Sequence, residues 1–165
     1  MAQPKTLYDT DFLAWTEEQA IALRSAAEAG SNRALDWENL AEEIESLGKS
    51  QRSALASQLR RIVQHLLKLQ HSPARQRRGG WIESIGDARS EIEDLLETSP
   101  SLKTGLDREI RRQIERAIKL AVIDLEDRGK LDPSTTAALR ATSYTQDQIL
   151  GDWLPGKQLS GEESA

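Results

Sequence analysis

From Trp37 to Leu69 the apolar residues hold one helical phase without interruption, and this limits what the chain can fold into more than any other feature. Trp37, Leu40, Ala41, Ile44, Leu47, Leu55, Leu59, Ile62, Leu66 and Leu69 recur at the spacing of one helix face. Ile44 and Leu55 differ by a rotation only about 20° beyond three full turns. Gly48 sits inside that face, so the spacing predicts one long or slightly kinked helix over residues 37–71, not two helices meeting at a new angle. Asp36 stands before it as a capping residue, with Glu38 in the first turn. At 1.5 Å per residue such a helix spans roughly 52 Å. Pro73 and Gly79-Gly80 read as its stop signals.

The flanking sequence is helical as well. Phe12, Leu13, Trp15, Ala20, Leu23 and Ala27 follow a cap at Asp9 and run to Gly30; Thr16 with Gln19 forms a second capping signature, which allows a break at Thr16. A third helix is expected from about Trp81 to Thr98, carrying Trp81, Ile82, Ile85, Ala88, Ile92 and Leu95. Ser99-Pro100 then opens a fourth with Leu102, Leu106, Ile110, Ile114, Ala117, Ala121 and Leu125, stopping at Gly129. Asp132-Pro133 starts a short helix, and Thr145 with Gln148 caps a last one ending near Trp153.

These segments predict an all-α chain: an antiparallel helical bundle built round the long second helix, with two short C-terminal helices folded onto it. At 165 residues the length suits one domain over 1–155 and a flexible polar tail over 156–165. Two valines and one phenylalanine are too few for a β-rich core. No run of about 18 apolar residues is available to span a bilayer. The absence of cysteine excludes disulfides, a thiol nucleophile and cysteine-ligated metal. Met1 to Thr6 hold one lysine and no apolar segment of the secretory kind, so a cytoplasmic location is expected.

The stretch Trp37-Glu38-Asn39-Leu40-Ala41-Glu42-Glu43-Ile44-Glu45-Ser46-Leu47-Gly48 resembles a bacterial family, the domain of unknown function numbered twenty-nine. Tyr8-Asp9-Thr10-Asp11-Phe12 with Trp15, His65-Leu66-Leu67-Lys68, Arg77 to Trp81, Ser99-Pro100-Ser101-Leu102, and Tyr144-Thr145 with Trp153-Leu154-Pro155 extend the likeness over about residues 8–155. The resemblance implies an all-α fold and a bacterial origin, and it implies no activity.

Charge is sorted along the chain. Residues 46–82 contain Lys49, Arg52, Arg60, Arg61, Lys68, Arg75, Arg77 and Arg78 and no acidic residue, giving +8 against −13 elsewhere and −5 overall. Arg60, Arg61, Gln64, Lys68 and His71 share one side of the long helix, opposite Leu55, Ile62 and Leu66. They lead into the glycine-containing stretch Arg75 to Gly80, read as a flexible basic loop. Arg60, Arg61, Lys68, His71, Arg75, Arg77, Arg78 and Trp81 therefore form a candidate anion site, with the indole placed to stack on a base or an arginine. The competing reading is fold electrostatics: cations in the last turns and acids in the first turns both suit the helix dipole, and acidic neighbours can neutralise the stripe.

Other chemistry is thinly represented. A di-iron bundle needs Glu-x-x-His pairs, but Ile62 and Lys68 precede His65 and His71 at that spacing. Glu38, Glu42 and Glu45 line one flank and are weak candidates for a hard divalent ion, otherwise partners for arginines of another helix. No nucleophile elbow is present. Asp124, at the edge of an apolar stripe, reads as an ion-pair partner, and Gln70, inside one, as a partner for a backbone group. Trp15, Trp37, Trp81 and Trp153 read first as packing residues. The expected function is a non-enzymatic module, without cofactor or membrane contact, that binds a protein partner or another copy of itself. A phosphate or nucleic-acid binder using the 60–78 stripe is the alternative, and a carboxylate-metal enzyme the second.

Overall fold

Capping residues and proline set the helix boundaries. The computed structural model describes residues 5–30, 35–72, 74–127 and 133–156, with backbone only over 124–127. Its helices are α1 (Leu7–Thr10), α2 (Phe12–Glu28), α3 (Trp37–His71), α4 (Arg78–Thr98), α5 (Leu106–Asp127), α6 (Pro133–Ala141) and α7 (Gln146–Leu150), with 3-10 turns at Arg75–Arg77 and Pro100–Lys103. No strand occurs among the described residues. Within them no helix is long and apolar enough to cross a membrane.

Chain contacts divide the molecule into two compact units, Met1–Leu55 with Ile92–Leu106, and Ala56–Glu91 with Asp107–Ala165. In the first unit, Asp9 Oδ2 accepts the Thr6 backbone N–H at 2.9 Å and closes the single turn α1. Asp11 caps α2: its Oδ1 accepts Ala14 N–H at 3.0 Å, while its Oδ2 accepts Ser101 N–H at 2.7 Å. The break therefore falls at Asp11, not at Thr16. Thr16 cannot cap because it is buried and its hydroxyl donates back to Leu13 O at 2.7 Å, as an interior helical threonine does.

α2 runs antiparallel to the first half of α3, since Arg24 reaches Glu38 and Glu45 while Glu17, a full seven residues earlier, pairs with Arg52. α3 is continuous through Gly48, as its phase predicts, and Asp36 Oδ1 accepts Asn39 N–H at its start. Its packing face is narrower than expected. Ala41 and Gly48 are buried, while Leu40 and Leu47 are 41% and 46% exposed. Those two leucines lie about 80–100° round the helix from Gly48, and α2 approaches on the small-residue side.

In the second unit Leu59, Ile62, Val63, Leu66 and Leu69 of α3 are buried with Ile85 and Ala88 of α4, Ile110, Ile114 and Ala117 of α5, Leu139 of α6 and Ile149 of α7. Each large side chain so buried contributes about 1.5–3 kcal/mol relative to exposure. Ile82, expected on the core face, is 41% exposed; Ile85, Ala88 and Ile92 carry the stripe instead. The fourth predicted helix starts later than its proline, because Gly105 takes φ +79° and separates the 3-10 turn holding buried Leu102 from α5. Thr145 and Gln148 form the predicted capping box, although α7 stops at Leu150, short of Trp153. The predicted stops and starts at Pro73, Gly129 and Asp132, the Asp124 side chain and the tail from residue 157 lie outside the described residues.

Candidate anion-binding site

The end of α3 and the start of α4 are locked together by one arginine. Arg78 Nη1 donates to Leu69 O at 2.7 Å, which caps a carbonyl that the ending helix leaves open. The backbone between them is ordered by Ser72 N–H to Lys68 O at 2.9 Å, Ala74 N–H to Ser72 Oγ at 3.3 Å and Arg77 N–H to Ala74 O at 3.3 Å. The expected flexible loop is thus largely helical: Arg75–Arg77 form a 3-10 turn, and Gly79 and Gly80 lie in the first turn of α4. Glycine costs about 1 kcal/mol in a helix, an amount that the Arg78 bond to Leu69 can offset.

This hairpin encloses an open recess of about 400 Å³ lined by Leu69, Gln70, Ser72, Arg75 and Arg78. Of the residues that the sequence nominates, Arg75 and Arg78 line it. Lys68 and Arg77 are exposed beside it in sequence, and Arg61 is exposed on the helix leading to it. Arg60 is half-buried at a long 3.5 Å from Gln113 Oε1, and Trp81 is half-buried one turn into α4.

His71 is held elsewhere. Its Nε2 lies 3.1 Å from Thr142 Oγ1, whose own proton goes to Ala138 O at 2.9 Å; the ring therefore carries its proton on Nε2 and donates. Burial lowers its pKa, which favours the neutral ring. His65 is lowered too, first by burial and then by Lys68 and Arg61, and its Nδ1 is buried without a partner among the described residues.

The stripe splits in two electrostatically. Lys49 pairs with Glu45 at 3.2 Å and Arg52 with Glu17, so these cations are neutralised inside the first unit. Among the described residues, Arg60, Arg61, Lys68, Arg75, Arg77 and Arg78 have no carboxylate partner. At the other end of α3, Arg24 engages Glu38 at 3.5 Å and Glu45 at 3.4 Å, while Glu42 is exposed. Lys49 and then Arg24 hold the Glu45 carboxyl below its usual range. These are the arginine partners that the sequence offered as the alternative to a divalent ion. No group of three or more His, Asp or Glu side chains that could hold a metal ion occurs among the described residues.

Sequence reasoning missed one polar residue, Arg89, and gave another, Gln70, a different partner. Arg89 donates to Ile149 O, Gln148 O and Trp153 O, each at 2.9 Å, and so fastens α7 and the following turn to α4. Its signal was position, since a cation one turn after Ile85 and next to Ala88 borders the core stripe. Gln70 accepts the Tyr144 hydroxyl at 3.0 Å rather than serving a backbone group. Burial pushes the Tyr144 pKa up, so the phenol keeps its proton and its donor role.

Fold and site together define an all-α protein with a cationic edge, without carboxylate partners among the described residues, at the end of its long helix α3. The chain belongs to the family described as Domain of unknown function DUF29, whose family model matches residues 7–154. No curated protein and no solved structure matches it.

Proposed function

We propose that this chain is a non-enzymatic interaction module that docks an acidic segment of a partner protein on the basic end of α3 and the start of α4. The observation that carries this reading is the split of the charge run: among the described residues, two of its cations have carboxylate partners and six have none. Unpaired cations on ordered helices present a fixed positive potential, which steers and orients an anionic partner. Ordering of the Arg75–Gly80 segment supports it further, because the backbone that carries these cations needs little additional ordering on binding.

Titration with a labelled acidic peptide, at about 50 mM and about 200 mM salt, tests this reading against duplex and single-stranded oligonucleotides. The expected result is salt-sensitive peptide binding that weakens at least about tenfold in an Arg61→Ala/Arg77→Ala variant. Oligonucleotide binding tighter than peptide binding would replace it with the nucleic-acid alternative. No binding of either probe at low salt would remove the docking reading altogether.

A further inference from the structure

The side chains that line the recess beside Arg75 carry more hydrogen-bond donors than acceptors. Gln70 has both in its amide: its Oε1 accepts the Tyr144 hydroxyl, and its NH₂ group has two protons to offer the recess. Ser72 Oγ already accepts Ala74 N–H, so its own proton is the group left to give. Arg75 and Arg78 are donors only, and Arg78 uses one N–H on Leu69 O while its other guanidinium N–H groups have no partner among the described residues. The end of a helix ordinarily repels anions through its last carbonyls. Here two of the last four carbonyls, Lys68 O and Leu69 O, are engaged by Ser72 N–H and Arg78, which reduces that repulsion.

Resting on the docking reading above, we infer that this recess is a subsite for a phosphate monoester carried on a serine or threonine side chain of the partner's acidic segment. A phosphate of this kind brings nearly two negative charges and three strong acceptor oxygens, which match two guanidinium groups plus a hydroxyl and an amide donor. A carboxylate offers two oxygens and one charge, and would leave part of this donor set unused. The volume of about 400 Å³ is ample for a phosphate and its first carbons. Among the described residues no aromatic face lines the recess to stack a nucleobase, which sets a phosphorylated side chain apart from a nucleotide.

The test is calorimetric titration of the full chain with four probes: inorganic phosphate, an acidic phosphoserine peptide, the same peptide unphosphorylated, and a nucleoside monophosphate. The phosphopeptide should bind at least about tenfold tighter than its unphosphorylated form, with inorganic phosphate competing. Arg75→Ala should bring the preference below about threefold. Gln70→Glu keeps an acceptor for Tyr144 and replaces the recess donor by a negative oxygen, so it should abolish the preference with an unchanged melting temperature. Arg75 also belongs to the docking surface, so Arg75→Ala should weaken both peptides and the phosphopeptide more, whereas Gln70→Glu should retain binding of the unphosphorylated peptide, which separates the subsite from the wider docking surface. Equal affinity for the two peptides overturns the subsite while the docking reading survives. Binding of neither overturns both, and a nucleoside monophosphate that binds as tightly as the phosphopeptide overturns the protein-borne source.

Discussion

At Gly48, α2 packs closely against α3. A Cβ there would stand 2.5 Å from Thr16 Oγ1 and 3.0 Å from Leu13 Cδ1. The hydroxyl is not free to yield, because it donates to Leu13 O in a buried setting. Alanine favours a helix over glycine by about 1 kcal/mol, but displacing that hydroxyl and overpacking the contact cost about 1–3 kcal/mol. Gly48→Ala is therefore expected to destabilise the first unit by up to about 2 kcal/mol, seen as a lower urea midpoint with unchanged slope. Thr16→Ala removes the obstructing oxygen, so the double variant should be more stable than the sum of the two single losses. Strict additivity would show that the contact with Thr16 is not the cause.

At the scale of elements, continuity was legible and neighbours were not. The α3 phase runs through Gly48 in the sequence, and the helix does the same. Which residues of that phase are buried depends on the approach of α2, so Leu40 and Leu47 could not be told from Ala41 by spacing. The Arg75–Gly80 segment reads as a loop because its order comes partly from Arg78 reaching Leu69, a bond no local pattern encodes. The cations of the candidate site were visible as a run, whereas their partners, and the Tyr144 bond that turns Gln70 into a donor, come from tertiary structure. Arg89 was hidden for the same reason, since all its acceptors are backbone oxygens. Charge-assisted bonds contribute about 1.5–3 kcal/mol each, so Arg89→Met should release α7 and Trp153 from α4. Amide hydrogen exchange is expected to speed up at least about tenfold over residues 146–153 while the α5 amides keep their protection. Equal loss of protection in both segments would mean that Arg89 supports the whole unit rather than this attachment.

For the molecule as a whole, the charge average of −5 conceals a segregated pattern, and the same pattern sets its response to acid. Its two histidines both belong to the second unit and both resist protonation: His71 through burial, His65 through burial reinforced by Lys68 and Arg61. A histidine whose folded pKa is depressed binds protons more readily when unfolded. Between that depressed value and the unfolded value of about 6.5, stability therefore rises with pH. The folded unit should be at full strength above about pH 7 and weaken progressively as the pH falls through 6.5, levelling off for these groups below their folded pKa values. Urea midpoints measured across that window test this, followed by tryptophan fluorescence and repeated with His65→Gln and His71→Asn. Each substitution should flatten the slope, and the double variant should remove the part due to imidazole. His71→Asn retains an amide donor toward Thr142, so a loss of stability at pH 8 equal to that at pH 6 would assign the residue to packing and not to proton linkage.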